Sequence, residues 1–269
     1  MQNPKVSVII PVYNAENTVG NILEKLISQE YRNIEIIIVN DGSTDSSWKT
    51  LQKFAKVDSR VIAINQMNAG ASAARNVGIM NASGKFVTFI DSDDDISGRL
   101  ICELMSHVKD DSDFIMCGMS INDKEMLAPN ALIEDGESIT RYVLKSLLTK
   151  NLLYGPYCKL FRRSIILDNA IQFPEDVKYG EDTIFVLNYL RHVRNITNIQ
   201  QALYNYNLQP SGLASTNNTK IAFRRARTSA LNMFMRDSEL SIISIAICAL
   251  LKVRWLLAFV KCLIGSKYA

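Results

Sequence analysis

Short β-branched runs alternate with helically spaced segments through the first ninety residues, and this alternation constrains the fold more than any other feature. Val6-Ser7-Val8-Ile9-Ile10 predicts a strand stopped by Pro11. Residues 17–30 carry apolar side chains at Val19, Ile22, Leu23, Leu26 and Ile27, the spacing of one helix face. Residues 34–39 are so dominated by Ile and Val that they predict a strand covered on both faces, central in a parallel sheet. Asp41-Gly42-Ser43-Thr44-Asp45 reads as a turn and cap, and Ser47–Val57 as the helix behind it. A third strand at 61–65, a small-residue helix at 71–81 and a fourth strand at 86–90 complete the series. The order β-α-β-α-β-α-β implies an α/β fold with a doubly wound, mostly parallel sheet flanked by helices. In such sheets ligands bind beyond the carboxyl ends of the strands.

Further signals are sparser. Residues 113–119 predict a strand, while 138–148 and 181–191 predict helices, and 154–173 is irregular, mixing aromatic and basic residues. A length of 269 residues, 48% apolar, fits one large α/β domain or two small ones with ample core. The five cysteines (Cys102, Cys117, Cys158, Cys248, Cys262) are scattered, form no C-x-x-C pair and read as reduced core residues, not a disulfide framework. The chain opens Met-Gln-Asn-Pro-Lys straight into a strand, so no signal peptide is expected.

The net charge of +3, from 30 basic and 27 acidic residues, argues against a dedicated nucleic-acid binder. It hides an asymmetry. From Lys220 onward there are nine basic residues and two acids, leaving 21 basic and 25 acidic residues before that point. The expected division is a body at 1–219, with a first half to about residue 100 and a second half at 101–219, and a basic, apolar helical extension at 220–269. Residues 240–251 and 255–264 are strongly apolar, interrupted by Lys252, Arg254 and Lys261, and each falls short of the roughly 20 residues needed to span a bilayer. Two short helices with a break near Lys252 suit an anionic membrane surface, where each basic residue is worth about 1 kcal/mol. The alternative is a terminal helix that packs on the body or on another subunit.

Polar residues gather where the fold rule places a site. Pro11-Val12-Tyr13-Asn14 follows the first strand, Asn40-Asp41-Gly42-Ser43 the second, and Asp91-Ser92-Asp93-Asp94-Asp95 the fourth. Four acids within five residues repel one another unless a cation is present. Oxygen ligands of this kind suit Mg²⁺ or Mn²⁺ held by one or two carboxylates together with substrate phosphates. The alternative is a solvated acidic turn capping a helix.

These segments, with Asn68-Ala69-Gly70, Ala74-Arg75-Asn76 and Gly180-Glu181-Asp182, come in an order that resembles the family 2 glycosyltransferases of bacterial surface-polysaccharide type, which have the GT-A fold. The resemblance covers about residues 4–210. It implies that Pro11, Tyr13, Asn14, Arg75, Asp91 and Ser92 lie along a nucleotide-sugar site, with Asp41 accepting the N3–H of uracil. It further implies that Asp93 coordinates Mn²⁺ or Mg²⁺, that Asp91 meets the ribose or reaches the metal through water, and that Asp182 deprotonates the acceptor hydroxyl. Asp41 could instead cap the following helix, and Arg75 could be an ordinary helix surface residue. Spacing alone does not choose between Glu181 and Asp182. Lys159, Gln209 and Ser211 are acceptor-side or loop candidates, with packing the stronger reading around Leu160-Phe161. Asn207 stands where the family commonly has a basic residue, and neither histidine, His107 or His192, lies near the motifs.

The implied activity is inverting, metal-dependent transfer of one sugar from a UDP-sugar to a hydroxyl of a lipid-linked glycan, as in O-antigen, capsule or lipopolysaccharide assembly. The expected location is the cytoplasmic face of the bacterial membrane, through residues 220–269. Competing classes are a nucleotidyltransferase, which would usually show a Gly-rich basic loop after the first strand, and a non-catalytic sugar-nucleotide or membrane scaffold.

Overall fold

In the computed structural model, which describes residues 3–128, 131–149 and 151–207 with isolated helical positions between 228 and 253, the first half follows the predicted alternation. Val6–Val12 (β1), Ile34–Asp41 (β2), Val61–Gln66 (β3) and Phe86–Phe89 (β4) pair in parallel in the order β3-β2-β1-β4. Every residue of β2 is buried, as its Ile/Val content requires. Val19–Ile27 (α1), Ser47–Val57 (α2) and Ala71–Asn81 (α3) are the crossovers. α1 packs on α2, whereas α3 lies on β1 and β2. Right-handed crossovers place α3 on the opposite face, because the chain reverses direction across the sheet between β3 and β4.

Two boundaries differ from expectation. Pro11 does not end β1, which runs on to Val12. Pairing with β4 stops at Ile9, whose carbonyl faces Ile90 on that side. Two residues on, Pro11 faces the same way, so its missing N–H forfeits no ladder bond. The first helix spans nine residues rather than fourteen, starting after Thr18 and ending at Ser28.

The second half makes the sheet mixed. Asp95–Ile96 (β5) and Leu100–Ser106 (α4) lead to Phe114–Ile121 (β6), Lys124–Met126 (β7) and Ala131–Ile133 (β8). Gly136–Thr149 (α5) and a 3₁₀ turn at Asn151–Leu153 follow. The stretch read as irregular resolves into Lys159–Arg162 (β9) and Arg163–Asp168 (α6), after which come Glu181–Leu190 (α7) and Ile196–Tyr206 (β10). β9 inserts antiparallel between β4 and β6, β10 lies parallel to β6, and β5 pairs antiparallel with the end of β10. β10 escapes sequence reading because register shifts between Ile199 and Ala202, and between Ala202 and Tyr204, break the two-residue period.

An aromatic cluster seats α7. Phe185 stacks on Phe173 at 3.9 Å and meets Phe89 and Phe161 edge-on at 5.5 and 5.6 Å, while Tyr189 meets Phe161 at 4.9 Å. The start of α7 is thereby fixed over β4 and β9. Leu231 and Phe234 also join the core, whereas Leu250 and Val253 are exposed. Most of 220–269, including Cys248, Cys262 and the proposed helix break, lies outside the described residues. No helix among the described residues is long and apolar enough to cross a membrane.

Glu35 crosslinks the base of the parallel half. Its buried carboxylate accepts from Ser7 Oγ (2.5 Å), Ser83 N (2.6 Å), Ser83 Oγ (2.7 Å), Gly84 N (3.2 Å) and Lys5 Nζ (3.4 Å). Burial alone would raise its pKa, but the donors from Ser7 and Ser83, with Lys5, hold it below the usual range. The stabilisation is therefore present above the ordinary carboxylate pKa and is lost as pH falls through the lowered value. Glu35→Ala, which strands the Ser83 N–H and the buried Ser7 hydroxyl while Gly84 N keeps Ser7 Oγ, is expected to cost about 3 kcal/mol in urea denaturation at pH 7.

Candidate active site

The carboxyl ends of β1, β2 and β4 open onto a cleft of about 630 Å³, at the point where strand order reverses. Two loops are laced together to form one wall. Asn14 N donates to Ser43 Oγ (3.0 Å), Thr44 N to Asn14 Oδ1 (2.8 Å), Ala15 N to Ser47 Oγ (2.8 Å) and Glu16 N to Asp45 Oδ2 (3.0 Å). Asn14 adopts φ 48° to make this turn. Tyr13, 53% exposed, stands at the mouth.

Asp41 ends β2 and organises the opposite wall. Oδ1 accepts from Gln66 Nε2 (2.7 Å) and Ala69 N (2.9 Å), and Oδ2 from Gly70 N (2.8 Å). A carboxylate has about four acceptor positions, so one remains on Oδ2. Gly42 allows the close approach, since at φ 68° an added Cβ would sit 2.7 Å from Asn68 N. Asp41 caps no helix here. It anchors the 66–70 loop, from which α3 departs.

One turn into α3, Arg75 points into the cleft rather than to solvent. Its guanidinium lies over the Phe173 ring at 5.3 Å, donates from Nη2 to Asp91 (2.8 Å) and from Nη1 to Asp182 (3.0 Å), and leaves Nε buried without a partner. Burial opposes its charge, but Asp182 and Asp91 outweigh burial and hold it protonated. Beside it, Asn76 clasps the loop before α7, donating to Phe173 O (2.9 Å) and accepting from Phe173 N (2.9 Å).

Gly180, at φ 86°, turns the chain into α7 and places Glu181 and Asp182 in its first turn. Removal from water pushes the Asp182 carboxyl up to about 7; Arg75 pulls the other way, while Glu181 and Asp91 add to the rise. Glu181 is raised too, chiefly by burial. Burial and the neighbouring Asp91 raise Asp93.

The acidic turn divides its labour. Asp91, Ser92 and Asp93 line the cleft. Asp94 turns inward, its Oδ2 accepting from Tyr204 OH (2.6 Å) and its Oδ1 from Asn207 N (2.9 Å). Burial and Asp91 push its carboxyl up to about 8 against those two donors. Among the described residues no three His, Cys, Asp or Glu side chains group as a metal cage. Asp91 and Asp93, mutually repelling on a cleft wall, instead fit an Mg²⁺ or Mn²⁺ site of one or two carboxylates completed by phosphates and water.

All eight residues expected along the nucleotide-sugar site, namely Pro11, Tyr13, Asn14, Asp41, Arg75, Asp91, Ser92 and Asp93, line the one cleft, and Arg75 ties Asp182 to it. Lys159 is a correction. It faces neither diphosphate nor acceptor, because its buried ammonium donates to the carbonyls of Leu152 and Tyr157 behind the site. Gln209 and Ser211 lie outside the described residues. Sequence reasoning missed Asp94, Tyr204, Gln66 and Asn76. Asp94 was visible in the acid run, but which acid turns inward depends on β10, itself unrecognised.

The mixed sheet with this cleft at its strand ends has the GT-A architecture. The sequence model of glycosyl transferase family 2 matches residues 7–168, and the chain belongs to that family. It is 33% identical over 227 residues to EpsH of Bacillus subtilis, spanning 82% of this chain and 66% of EpsH, about two thirds of that relative's length. The fold matches Staphylococcus aureus TarS 1–349 in complex with UDP-GlcNAc, with TM-score 0.74 and 24% identity over 92% of this chain and 71% of that one. It also matches the mannosyltransferase PcManGT from Pyrobaculum calidifontis in complex with GDP-Man and Mn²⁺, with TM-score 0.67 and 15% identity over 100% of this chain and 76% of that one.

Removing Arg75 leaves Asp91 and Asp182 facing each other with no cation. Arg75→Met is expected to lower stability by about 2 kcal/mol in urea denaturation at pH 8. Arg75→Lys should recover only part of this, because an ammonium cannot fork to both acids.

Proposed function

We propose that the chain is an inverting transferase that moves one sugar from a UDP-sugar to a hydroxyl of a polysaccharide acceptor, lipid-linked in bacterial surface-glycan assembly. The observation that carries this reading is the convergence on one cleft of Asp41, the Asp91–Asp93 wall and Arg75, which binds the Asp182 carboxyl to it. The UDP and UDP-GlcNAc complexes of TarS support the choice of donor. The raised Asp182 carboxyl, held to the cleft by Arg75, supports a general base over a mere binding module.

In this reading the free position on Asp41 Oδ2 accepts the uracil N3–H. Tyr13 and Pro11 flank the base, and Asp91 faces the ribose. A divalent ion, when bound, offsets the charge that grows on the diphosphate as its bond to the sugar breaks. Asp93 would hold that ion, with Asp91 reaching it through water. Arg75 occupies Asp182 Oδ1 and leaves Oδ2 to face the acceptor. The acceptor oxygen forms its bond to C1 of the sugar as the bond to UDP breaks on the opposite side, and its proton passes to Asp182. One displacement inverts C1, and no enzyme nucleophile is needed.

The test is UDP release from a panel of UDP-sugars, with and without Mn²⁺. Asp182→Asn is expected to reduce turnover by roughly 10²–10⁴-fold. UDP affinity by calorimetry should stay within a few-fold of the parent, and full turnover in this variant would remove Asp182 as the base. Because the base must be ionised, kcat/KM should fall as pH drops through about 7. A profile flat from pH 5 to 8 would contradict that.

Membrane association is the companion proposal. Leu231 and Phe234 belong to the core, so deletion after Asp237 spares them while removing exposed Leu250 and Val253 and four of the tail's basic residues. The truncated chain is expected to lose sedimentation with anionic vesicles while keeping UDP binding.

A further inference from the structure

The acidic turn holds one carboxylate that cannot reach a donor or a metal. Asp94 is only 4% exposed, and both of its oxygens are committed to the end of β10, through Tyr204 OH (2.6 Å) and Asn207 N (2.9 Å). The same two residues also grip the turn's backbone. Asp91 N donates to the Tyr204 hydroxyl oxygen (3.2 Å), and Asn207 Nδ2 donates to Asp93 O (2.7 Å). A further bond within the turn runs from Asp94 N to Asp91 O (3.3 Å). Tyr204 is itself fixed, fully buried with Tyr157 stacked on it at 5.3 Å.

We infer that Asp94, Tyr204 and Asn207 form a positioning clamp that sets the backbone of residues 91–93, and so presents Asp93 to a divalent cation. This rests on the reading of Asp93 as the metal-bearing carboxylate. The physical case is one of freedom. A turn of consecutive acids repels itself and would spread apart in the absence of a cation. A cation that keeps most of its waters and takes one or two protein oxygens gains affinity only if those oxygens stand ready. Four hydrogen bonds from one strand end hold Asp91 N, Asp93 O and both oxygens of Asp94. They leave the Asp93 side chain to the cleft. Partners that orient metal ligands in this way are typically worth about 10–100-fold in metal affinity.

The clamp also gives Asn207 a purpose. A short side-chain amide can lie on the Asp93 carbonyl while its own backbone N–H meets Asp94, a pairing that a long basic side chain does not reproduce. The end of β10 thus joins the donor site from behind.

The experiment measures Mn²⁺ binding by the full chain in the presence of UDP, from the electron paramagnetic resonance signal of free Mn²⁺, alongside UDP affinity in excess chelator. Tyr204→Phe and Asp94→Ala are expected to weaken Mn²⁺ binding about tenfold or more, with UDP affinity in chelator held within twofold. Asp94→Asn, which keeps an acceptor for Asn207 N, should recover most of the loss. Tyr204→Phe removes one hydroxyl from a packed ring, so it keeps the test available should Asp94→Ala fail to fold. The clamp is overturned if folded Tyr204→Phe, and Asp94→Ala where it folds, bind Mn²⁺ as the parent does. It is equally overturned if UDP affinity in chelator falls in step with Mn²⁺ affinity, the mark of a general loss of structure. If the unmodified chain with UDP binds no Mn²⁺, the metal reading of Asp93 fails, and the clamp with it.

Discussion

The guanidinium of Arg75 joins three parts of the chain at the cleft. Asp91 comes from the end of β4, Asp182 from the start of α7, and Arg75 from one turn inside α3, with bonds of 2.8 and 3.0 Å. Carboxylates brought this close repel one another and would be driven to protonate. A planar fork with two donors, seated on the Phe173 ring, satisfies both and fixes their separation. An ammonium could neutralise the same charge but could not hold the same geometry. Arg75 therefore ties the Asp91 wall of the cleft to the α7 carboxyl, on top of the aromatic packing that seats α7 over β4 and β9.

A second connection runs behind the cleft. Thr183 Oγ1, adjacent to Asp182, donates to Tyr154 O (3.0 Å), and Lys159 holds the carbonyls of Leu152 and Tyr157. Tyr157 then stacks on Tyr204 at 5.3 Å, and Tyr204 meets Asp94. Burying the Lys159 ammonium is costly, and burial lowers its pKa. Two carbonyls and the Tyr157 ring, 5.5 Å away, offset part of that cost. Lys159 thus matters to the site through the 152–157 segment that it ties down and through its charge, which pulls the Asp182 carboxyl down.

What could be read from the sequence follows from the range of the interaction involved. β2 was legible because a strand covered on both faces must be apolar throughout, and α2 and α3 because their spacing is local. The cleft residues were legible through motif order, since a site at strand ends draws on the few residues after each strand. Asp94 was not, because it is defined by a partner far along the chain, Tyr204, whereas the carbonyls that hold Lys159 are only two and seven residues before it but belong to a segment with no regular period to read. β10 hid itself by slipping register twice, which erases the alternation on which strand reading depends. Asp41 shows the intermediate case. Its place at the site was visible, whereas its bonds to Ala69 N and Gly70 N required the loop.

The boundary drawn from charge at Lys220 is likewise not the boundary of packing. Leu231 and Phe234, three residues apart on one helix face, are buried in the common core. Leu250 and Val253, with the same spacing, stand 60% and 52% exposed. A charge sum counts side chains at the surface and is blind to the apolar residues between them, so it assigns the whole basic end to one unit. Burial divides the described positions of that end instead: Leu231 and Phe234 join the body, whereas Leu250 and Val253 face solvent.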